Sequence, residues 1–150
     1  MPRRKIPIGI QEQVRERAKS LCEYCHTLEL WQYVPFTVDH VVPLTKGGTD
    51  TLSNLALACF HCNRRKADKT VAVDPDSGEE APLYNPRQHH WREQFTWSAD
   101  KVRIIGLTPT GRATVALLDL NRERIVSIRL ADVLVDRHPP AGDPIQGANI

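Results

Sequence analysis

Residues 36–48 read FTVDHVVPLTKGG, a β-branched stretch that contains an adjacent carboxylate and imidazole and ends in a Pro and two Gly. The β-branched and aromatic content of residues 34–42 predicts a strand, and residues 43–50 predict a loop. Neighbouring side chains of a strand point to opposite faces, so Asp39 and His40 are expected to meet different surroundings. A polar pair in such a place indicates a chemical role.

The flanking segments predict the other elements of a small α+β unit. Residues 55–59, LALAC, predict a returning strand, and residues 60–69, FHCNRRKADK, contain good helix formers without Gly or Pro. Residues 11–21 predict an amphipathic helix. Apolar residues recur there at helical spacing: Ile10, Val14, Ala18 and Leu21. The predicted local order is helix, strand, loop, strand and helix.

Composition limits the class of protein. Charged residues make up 25% and hydrophobic residues 41% of the 150 residues, which is typical of a globular domain. No apolar run approaches the roughly 18 residues that cross a bilayer, and no export signal is readable at the N-terminus. We therefore expect a cytoplasmic protein with no membrane partner. The net charge of +2 is too small to indicate nucleic-acid binding by itself, so the placement of the charges matters.

Four cysteines form two Cys-x2-Cys pairs: Cys22, Cys25, Cys59 and Cys62. Because the cytosol keeps thiols reduced, this spacing predicts a tetrahedral structural zinc site, with four buried thiols or a redox pair as the alternative. His26 and His61 each adjoin a pair and could replace a cysteine. Four sulfurs already satisfy zinc, however, so both histidines are expected to be bystanders.

The second half of the chain predicts a separate unit. Residues 74–82, DPDSGEEAP, are rich in Pro, Asp, Ser and Gly and predict a linker. This divides the chain into a unit at 1–73 and a small α/β extension at 83–150.

Within this extension, residues 85–97 predict a helix that starts near Pro86, and residues 102–107 predict a strand. A helix capped by Thr108 or Thr110 and a second helix over 122–136 follow. The inward positions of the first of these helices are expected at Val115, Leu117 and Leu118. Three aromatic residues are expected in the core rather than as base-stacking platforms: Trp91, Phe95 and Trp97.

The polar residues between and beside the cysteine pairs follow one ordered pattern, Asp-His-x2-Pro-x10-Asn-x4-Cys-x2-Cys-Asn. With CEYC at 22–25, the stretch VDHVVPLTKGGTDTLSNLALACFHCNRRK at 38–66 resembles the HNH endonuclease family. The third position of the motif is Asn rather than His, which is a known variation. The resemblance covers about residues 20–69.

The resemblance implies a ββα-metal (His-Me finger) fold, in which two antiparallel strands and a helix hold a divalent cation. It implies that His40 is the general base, that Asp39 and Asn63 are metal ligands, and that Asn54 holds the loop that orients His40. An imidazole suits proton transfer near neutral pH. One carboxylate and one amide oxygen suit Mg²⁺ or Mn²⁺ better than zinc, so two metals with different roles are expected.

A basic run follows the last cysteine on the predicted helix: Arg64, Arg65, Lys66 and Lys69. These cations could contact phosphates that flank a cut site, or they could form a solvated helix face. The expected partner is nucleic acid, most simply DNA. The sequence does not indicate an oligomeric state.

The expected function is metal-dependent hydrolysis of DNA phosphodiester bonds. A zinc-dependent module that binds nucleic acid without cutting it is the main alternative. A structural zinc protein that contacts other proteins is a third, but it would have no use for an acid–base pair beside a Gly-rich loop.

Overall fold

The computed structural model describes residues 5–146, so the basic residues at positions 3 and 4 lie outside the described part. Its first half contains α1 (Ile8–Ala18), β1 (Thr37–His40), β2 (Leu55–Ala58) and α2 (Phe60–Lys66). Its second half contains β3 (Val71–Val73), β4 (Glu80–Pro82), α3 (Trp91–Gln94), β5 (Phe95–Trp97), β6 (Ile104–Gly106), α4 (Pro109–Leu118) and α5 (Glu123–Leu134). The strands pair as three antiparallel two-stranded sheets, β1 with β2, β3 with β4, and β5 with β6.

The β1–β2 hairpin forms where the sequence predicted two strands, but β1 is shorter than the predicted 34–42. Asp39 lies opposite Ala56 and His40 opposite Leu55. The ladder stops after His40 because the backbone N–H groups of Val41 and Val42 bond to the carbonyl and side-chain oxygens of Asn54, both at 2.9 Å. All four residues of β2 are fully buried, as its continuous apolar sequence predicts.

Both helices of the first half exist but end earlier than predicted. α1 ends at Ala18 because Lys19 and Ser20 adopt left-handed backbone conformations, with φ of 55° and 58°. Leu21 is buried, but it pairs with Leu28 in an isolated β-bridge instead of extending the helix. α2 ends at Lys66, and Ala67 follows with a φ of 49°. Lys69, predicted to lie on this helix, therefore lies beyond it.

Residues 74–82, where the composition predicted a linker, form a turn and then strand β4, which pairs with β3. The turn is anchored to α4 by Asp74, whose carboxylate accepts hydrogen bonds from Arg112 Nε and Nη2 at 3.0 and 2.9 Å. Asp74 also accepts from the backbone N–H of Asp76 at 3.0 Å, which closes the turn. The division into two units at this segment stays a prediction.

The elements after residue 83 agree in part with the prediction. The strand at 102–107 corresponds to β6, the helix over 122–136 to α5, and Thr108 caps α4 by accepting from the Gly111 N–H at 3.0 Å. The prediction of one long helix over residues 85–97 is wrong. Only α3 is helical, because residues 95–97 are aromatic and β-branched and pair with β6.

One hydrophobic core joins the two halves. Val14, β2, Tyr84 and Leu118 belong to it, and so do the three aromatic residues that the sequence placed in a core, Trp91, Phe95 and Trp97. Among the described residues, no helix has the length and apolar character of a membrane span. The mixture of helices and small sheets around a cysteine cluster is compatible with the predicted α+β class.

Candidate functional site

The four cysteine thiols form a buried cluster that fits a zinc ion. Their Sγ atoms all lie within 4.8 Å of one another, and Cys25 Sγ and Cys59 Sγ are 3.8 Å apart. Zn–S bonds of about 2.3 Å in a tetrahedron place sulfurs about 3.8 Å apart, so the spacing agrees. The backbone N–H groups of Cys25 and Cys62 point to Cys22 Sγ and Cys59 Sγ at 3.5 and 3.4 Å. All four ligands are thiols, so zinc here would have no open position for water.

The two histidines beside the cysteine pairs have other contacts. His26 is buried and stacks on Trp91, with the ring centroids 4.1 Å apart. His61 Nε2 lies 2.9 Å from the Leu118 carbonyl oxygen. Among the described residues, the cluster consists of the four thiols alone.

A cleft of about 670 Å³ lies beside this cluster, between β1, the loop that follows it and α2. Asp39, His40 and Asn63 line it together, and Asp68 adds a second carboxylate at its wall. Asp39 and His40 come from β1, and Asn63 comes from α2. The structure therefore brings together three of the four motif residues that the sequence singled out, and Asn54 is not among the residues that line the cleft.

Asp39 is buried, with 4% of its surface exposed, and three donors surround its carboxylate. The Tyr24 hydroxyl donates to Oδ2 at 2.7 Å, and Lys66 Nζ lies 3.2 Å from the same oxygen. Oδ1 has longer contacts, at 3.3 Å to Asn63 Nδ2 and 3.4 Å to Lys66 Nζ. Burial raises the pKa of Asp39, and the charge of Lys66 and the hydrogen bond from Tyr24 act against that rise. Burial also raises the pKa of Tyr24, which keeps its hydroxyl protonated as a donor.

His40 occupies the end of β1 and forms a pair with Asp50, a residue of the following loop. His40 Nε2 lies 2.7 Å from Asp50 Oδ1. A carboxylate accepts hydrogen bonds, so this contact places the proton of the neutral imidazole on Nε2 and leaves Nδ1 with a free lone pair.

Asn54 ties the loop to the strand end. Its Nδ2 donates to the carbonyl oxygens of Val42 and Thr49, both at 2.9 Å, and its Oδ1 accepts from the Val42 N–H. Gly48 makes this arrangement possible, since a Cβ at this position would lie 1.8 Å from the Val42 oxygen and 2.7 Å from Asn54 Nδ2. The loop that contains Asp50 is thus fixed relative to His40.

The basic run after the last cysteine divides into two groups. Arg64, Arg65 and Lys69 are exposed, although Arg65 Nε also donates to the Leu117 carbonyl at 3.0 Å. Lys66 differs from the expected nucleic-acid contact, because only 1% of its surface is exposed and its ammonium group points inward to Asp39 and to the His40 carbonyl oxygen. Asn63 and Lys66 are one helical turn apart, so both face β1 while the arginines between them face solvent.

Residues 21–69 match the family model of the HNH endonucleases. The match confirms the resemblance that the motif indicates, and it covers about a third of the chain. We call residues 21–69 the HNH segment. No curated protein and no solved structure matches the chain.

The HNH segment contains polar neighbours of the motif that sequence reasoning missed or misplaced. Tyr24, inside the first cysteine pair, and Asp50, at the end of the loop, were not singled out. Lys66 was placed on the solvent face. For Lys66 a signal existed, since it lies three residues after Asn63 and residues at that spacing share a helix face. Tyr24 and Asp50 lie near the site because of the way the chain folds, and the sequence pattern around them does not indicate this.

Proposed function

We propose that this protein is a metal-dependent HNH endonuclease that hydrolyses phosphodiester bonds of DNA. The observation that carries the proposal is the common cleft of Asp39, His40 and Asn63 within the segment that matches the HNH endonuclease model. The match to this model favours a nuclease in general, and Asp39, His40 and Asn63 are the kinds of group that metal-assisted hydrolysis would use.

His40 is the proposed general base. Asp50 holds Nε2, so Nδ1 takes the proton from the attacking water. The water oxygen forms a bond to phosphorus while the bond from phosphorus to the 3′-oxygen breaks. The family resemblance implies this polarity, which leaves a 3′-hydroxyl and a 5′-phosphate. Asn54 acts in support, because its three hydrogen bonds keep the loop of Asp50 in place.

Asp39 and Asn63 are the proposed ligands of a Mg²⁺ or Mn²⁺ ion. Asp39 Oδ1 is the oxygen available to a cation, because its two contacts are longer than those of Oδ2. Asn63 directs its amide toward the same oxygen, and a half-turn of that amide presents a carbonyl oxygen in place of Nδ2. Such an ion would stabilise the negative charge that develops on the phosphate and on the departing oxygen.

The exposed cations after Asn63 are the proposed contacts to flanking phosphates: Arg64, Arg65 and Lys69. Such contacts would position DNA without reading its sequence. Lys66 has a different role in this proposal, because its ammonium group neutralises Asp39 from inside the protein.

The test is a plasmid-nicking assay with Mg²⁺, Mn²⁺ or EDTA. His40→Ala is expected to lower the nicking rate by about 100-fold or more, the usual contribution of a general base, with zinc content and stability unchanged. His90→Ala is a matched control, because His90 is exposed and makes no side-chain hydrogen bond at the start of α3. Nicking by pure His40→Ala at the wild-type rate would exclude this mechanism.

A non-catalytic nucleic-acid-binding module is the second candidate, and the surroundings of Asp39 favour it. Tyr24, Asn63 and Lys66 already satisfy this carboxylate without a cation. The same assay separates the candidates. A protein that only binds would retard the plasmid without relaxing it, and neither added metal nor His40→Ala would change this result.

A further inference from the structure

The aromatic residues of the chain divide into two sets. Six of the nine are buried in the core: Tyr24, Phe36, Tyr84, Trp91, Phe95 and Trp97. The other three are exposed, with 46% of Trp31, 102% of Tyr33 and 55% of Phe60 open to solvent. Single exposed apolar residues are ordinary, but a group of large exposed rings in one region indicates a contact surface.

Tyr33 and Phe60 line one shallow cavity of about 200 Å³, and we call this pair the aromatic platform. His61 and Arg122 lie in the wall of the same cavity, and none of the described residues that line it is acidic. Trp31 lines a different cavity, where the Arg137 guanidinium lies 3.9 Å from the centre of its ring. The platform cavity itself combines two aromatic rings with Arg122, which suits a polyanion that also offers flat apolar faces.

The platform cavity and the cleft are lined by different residues, which are neighbours on α2 and at the start of β1. Phe60 and Asn63 lie one turn apart on α2, about 4.5 Å along the helix axis, and the first lines the platform cavity while the second lines the cleft. On the strand side, Phe36 lines the platform cavity and the next residue, Thr37, lines the cleft. A strand of nucleic acid with its phosphate in the cleft would therefore have its neighbouring bases at the platform.

We propose that Tyr33 and Phe60 stack unpaired bases beside the scissile phosphate, and that the preferred substrate is single-stranded nucleic acid. This inference rests on the function proposed for the cleft. Bases in a duplex are covered on both faces by their neighbours, so exposed rings favour strands whose bases are unstacked. Stacking is tolerant of sequence because every base has a π-face, and Arg64, Arg65 and Arg122 supply the complementary charge.

Fluorescence anisotropy of the full chain tests this inference, with a short labelled single strand and the corresponding duplex, without added divalent cation so that neither is cut. Tyr33→Ala and Phe60→Ala are each expected to weaken binding of the single strand by about 5- to 150-fold, the usual value of one base–aromatic stack. Tyr33→Phe keeps the ring and is expected to bind like the wild type. Val73→Ala is the matched control, because Val73 is an exposed apolar residue on β3 outside the platform and the cleft.

The duplex is expected to bind with nearly the same affinity in all variants. The inference is overturned if Tyr33→Ala binds the single strand as the wild type does, or if it loses single strand and duplex affinity equally. His40→Ala separates this result from the nuclease proposal, because it should keep single-strand affinity. Continued cleavage by His40→Ala would refute the catalytic mechanism without affecting the stacking proposal. Unchanged single-strand affinity of Tyr33→Ala would refute the stacking proposal without affecting the catalytic mechanism.

Discussion

Replacing Lys66 with Met removes a buried charge while keeping an unbranched side chain of similar length. The ammonium group of Lys66 lies 3.2 Å from Asp39 Oδ2, and both residues are almost completely buried. Coulomb's law gives about 5 kcal/mol for unit charges at this distance with an effective dielectric constant of about 20. Loss of one partner of a buried pair usually costs about 3–5 kcal/mol. We expect Lys66→Met to lower the free energy of unfolding by about this amount at neutral pH.

The loss of stability caused by Lys66→Met should become larger as the pH rises from acidic to neutral. Burial raises the pKa of Asp39 above its ordinary value of 3.8, and Lys66 acts against that rise. Without the charge of Lys66, the pKa of Asp39 in the folded protein rises further. Between the ordinary value and this raised value the folded state binds more protons than the unfolded state, so stability falls as the pH rises. The deficit of Lys66→Met should thus be smaller near the ordinary pKa of Asp39 than at neutral pH.

Urea denaturation at acidic and at neutral pH measures both effects. Lys69→Met is the control, because Lys69 is exposed just beyond the same helix and its loss should change stability by no more than about 0.5 kcal/mol. The double variant Asp39→Asn with Lys66→Met removes both charges and should recover part of the loss. A Lys66→Met protein as stable as the Lys69→Met control, or a deficit that does not change with pH, would refute the reasoning.

Two further predictions concern the scaffold. Removal of metal by a strong chelator, or Cys22→Ser, should unfold the protein, because structural zinc contributes about 10 kcal/mol or more to folding. Metal analysis should find one zinc per chain in the untreated wild type and none after either change. A folded, metal-free chain would contradict the zinc assignment. Glu23→Gln should cost about 3–5 kcal/mol in urea denaturation, because Glu23 and Arg87 form an ion pair in which both side chains are buried, and the double variant with Arg87→Met should recover part of this cost. Equal stability of Glu23→Gln and the wild type would show that the pair does not hold residue 87 to the HNH segment.

The sequence predicted features that depend on local spacing. The cysteine pairs, the position of Asp39 and His40 on a strand and a threonine cap of α4, predicted at Thr108 or Thr110 and found at Thr108, all follow from residues within a few positions of one another. The strand β2 followed from an uninterrupted apolar run. In each of these, the residue types and their spacing fix the local structure, so no knowledge of distant contacts was needed.

Features that depend on distant contacts were missed or wrong. The helix predicted over 85–97 fails because residues 95–97 pair with β6, and helix propensity does not register such a partner. The pair of Glu23 and Arg87 joins residues far apart in sequence, and neither residue has a local pattern that announces it. The contact between His40 and Asp50 depends on the path of a loop that closes around Gly48 and Asn54.

The zinc cluster and the cleft are parts of one arrangement. Tyr24 stands inside the first cysteine pair and donates to Asp39, while Asn63 directly follows the last cysteine and contacts the other oxygen of the same carboxylate. Cys59 is the N-cap of α2, and its Sγ accepts from the Cys62 N–H, so the cysteines that would bind zinc also set the start of the helix that presents Asn63 to the cleft. A four-thiolate zinc ion has no open position and cannot activate water itself. Such an ion would nevertheless act on the cleft through geometry, because the two cysteine pairs that it joins adjoin Tyr24 and Asn63, which contact the two oxygens of Asp39. Loss of zinc would therefore displace both contacts to Asp39.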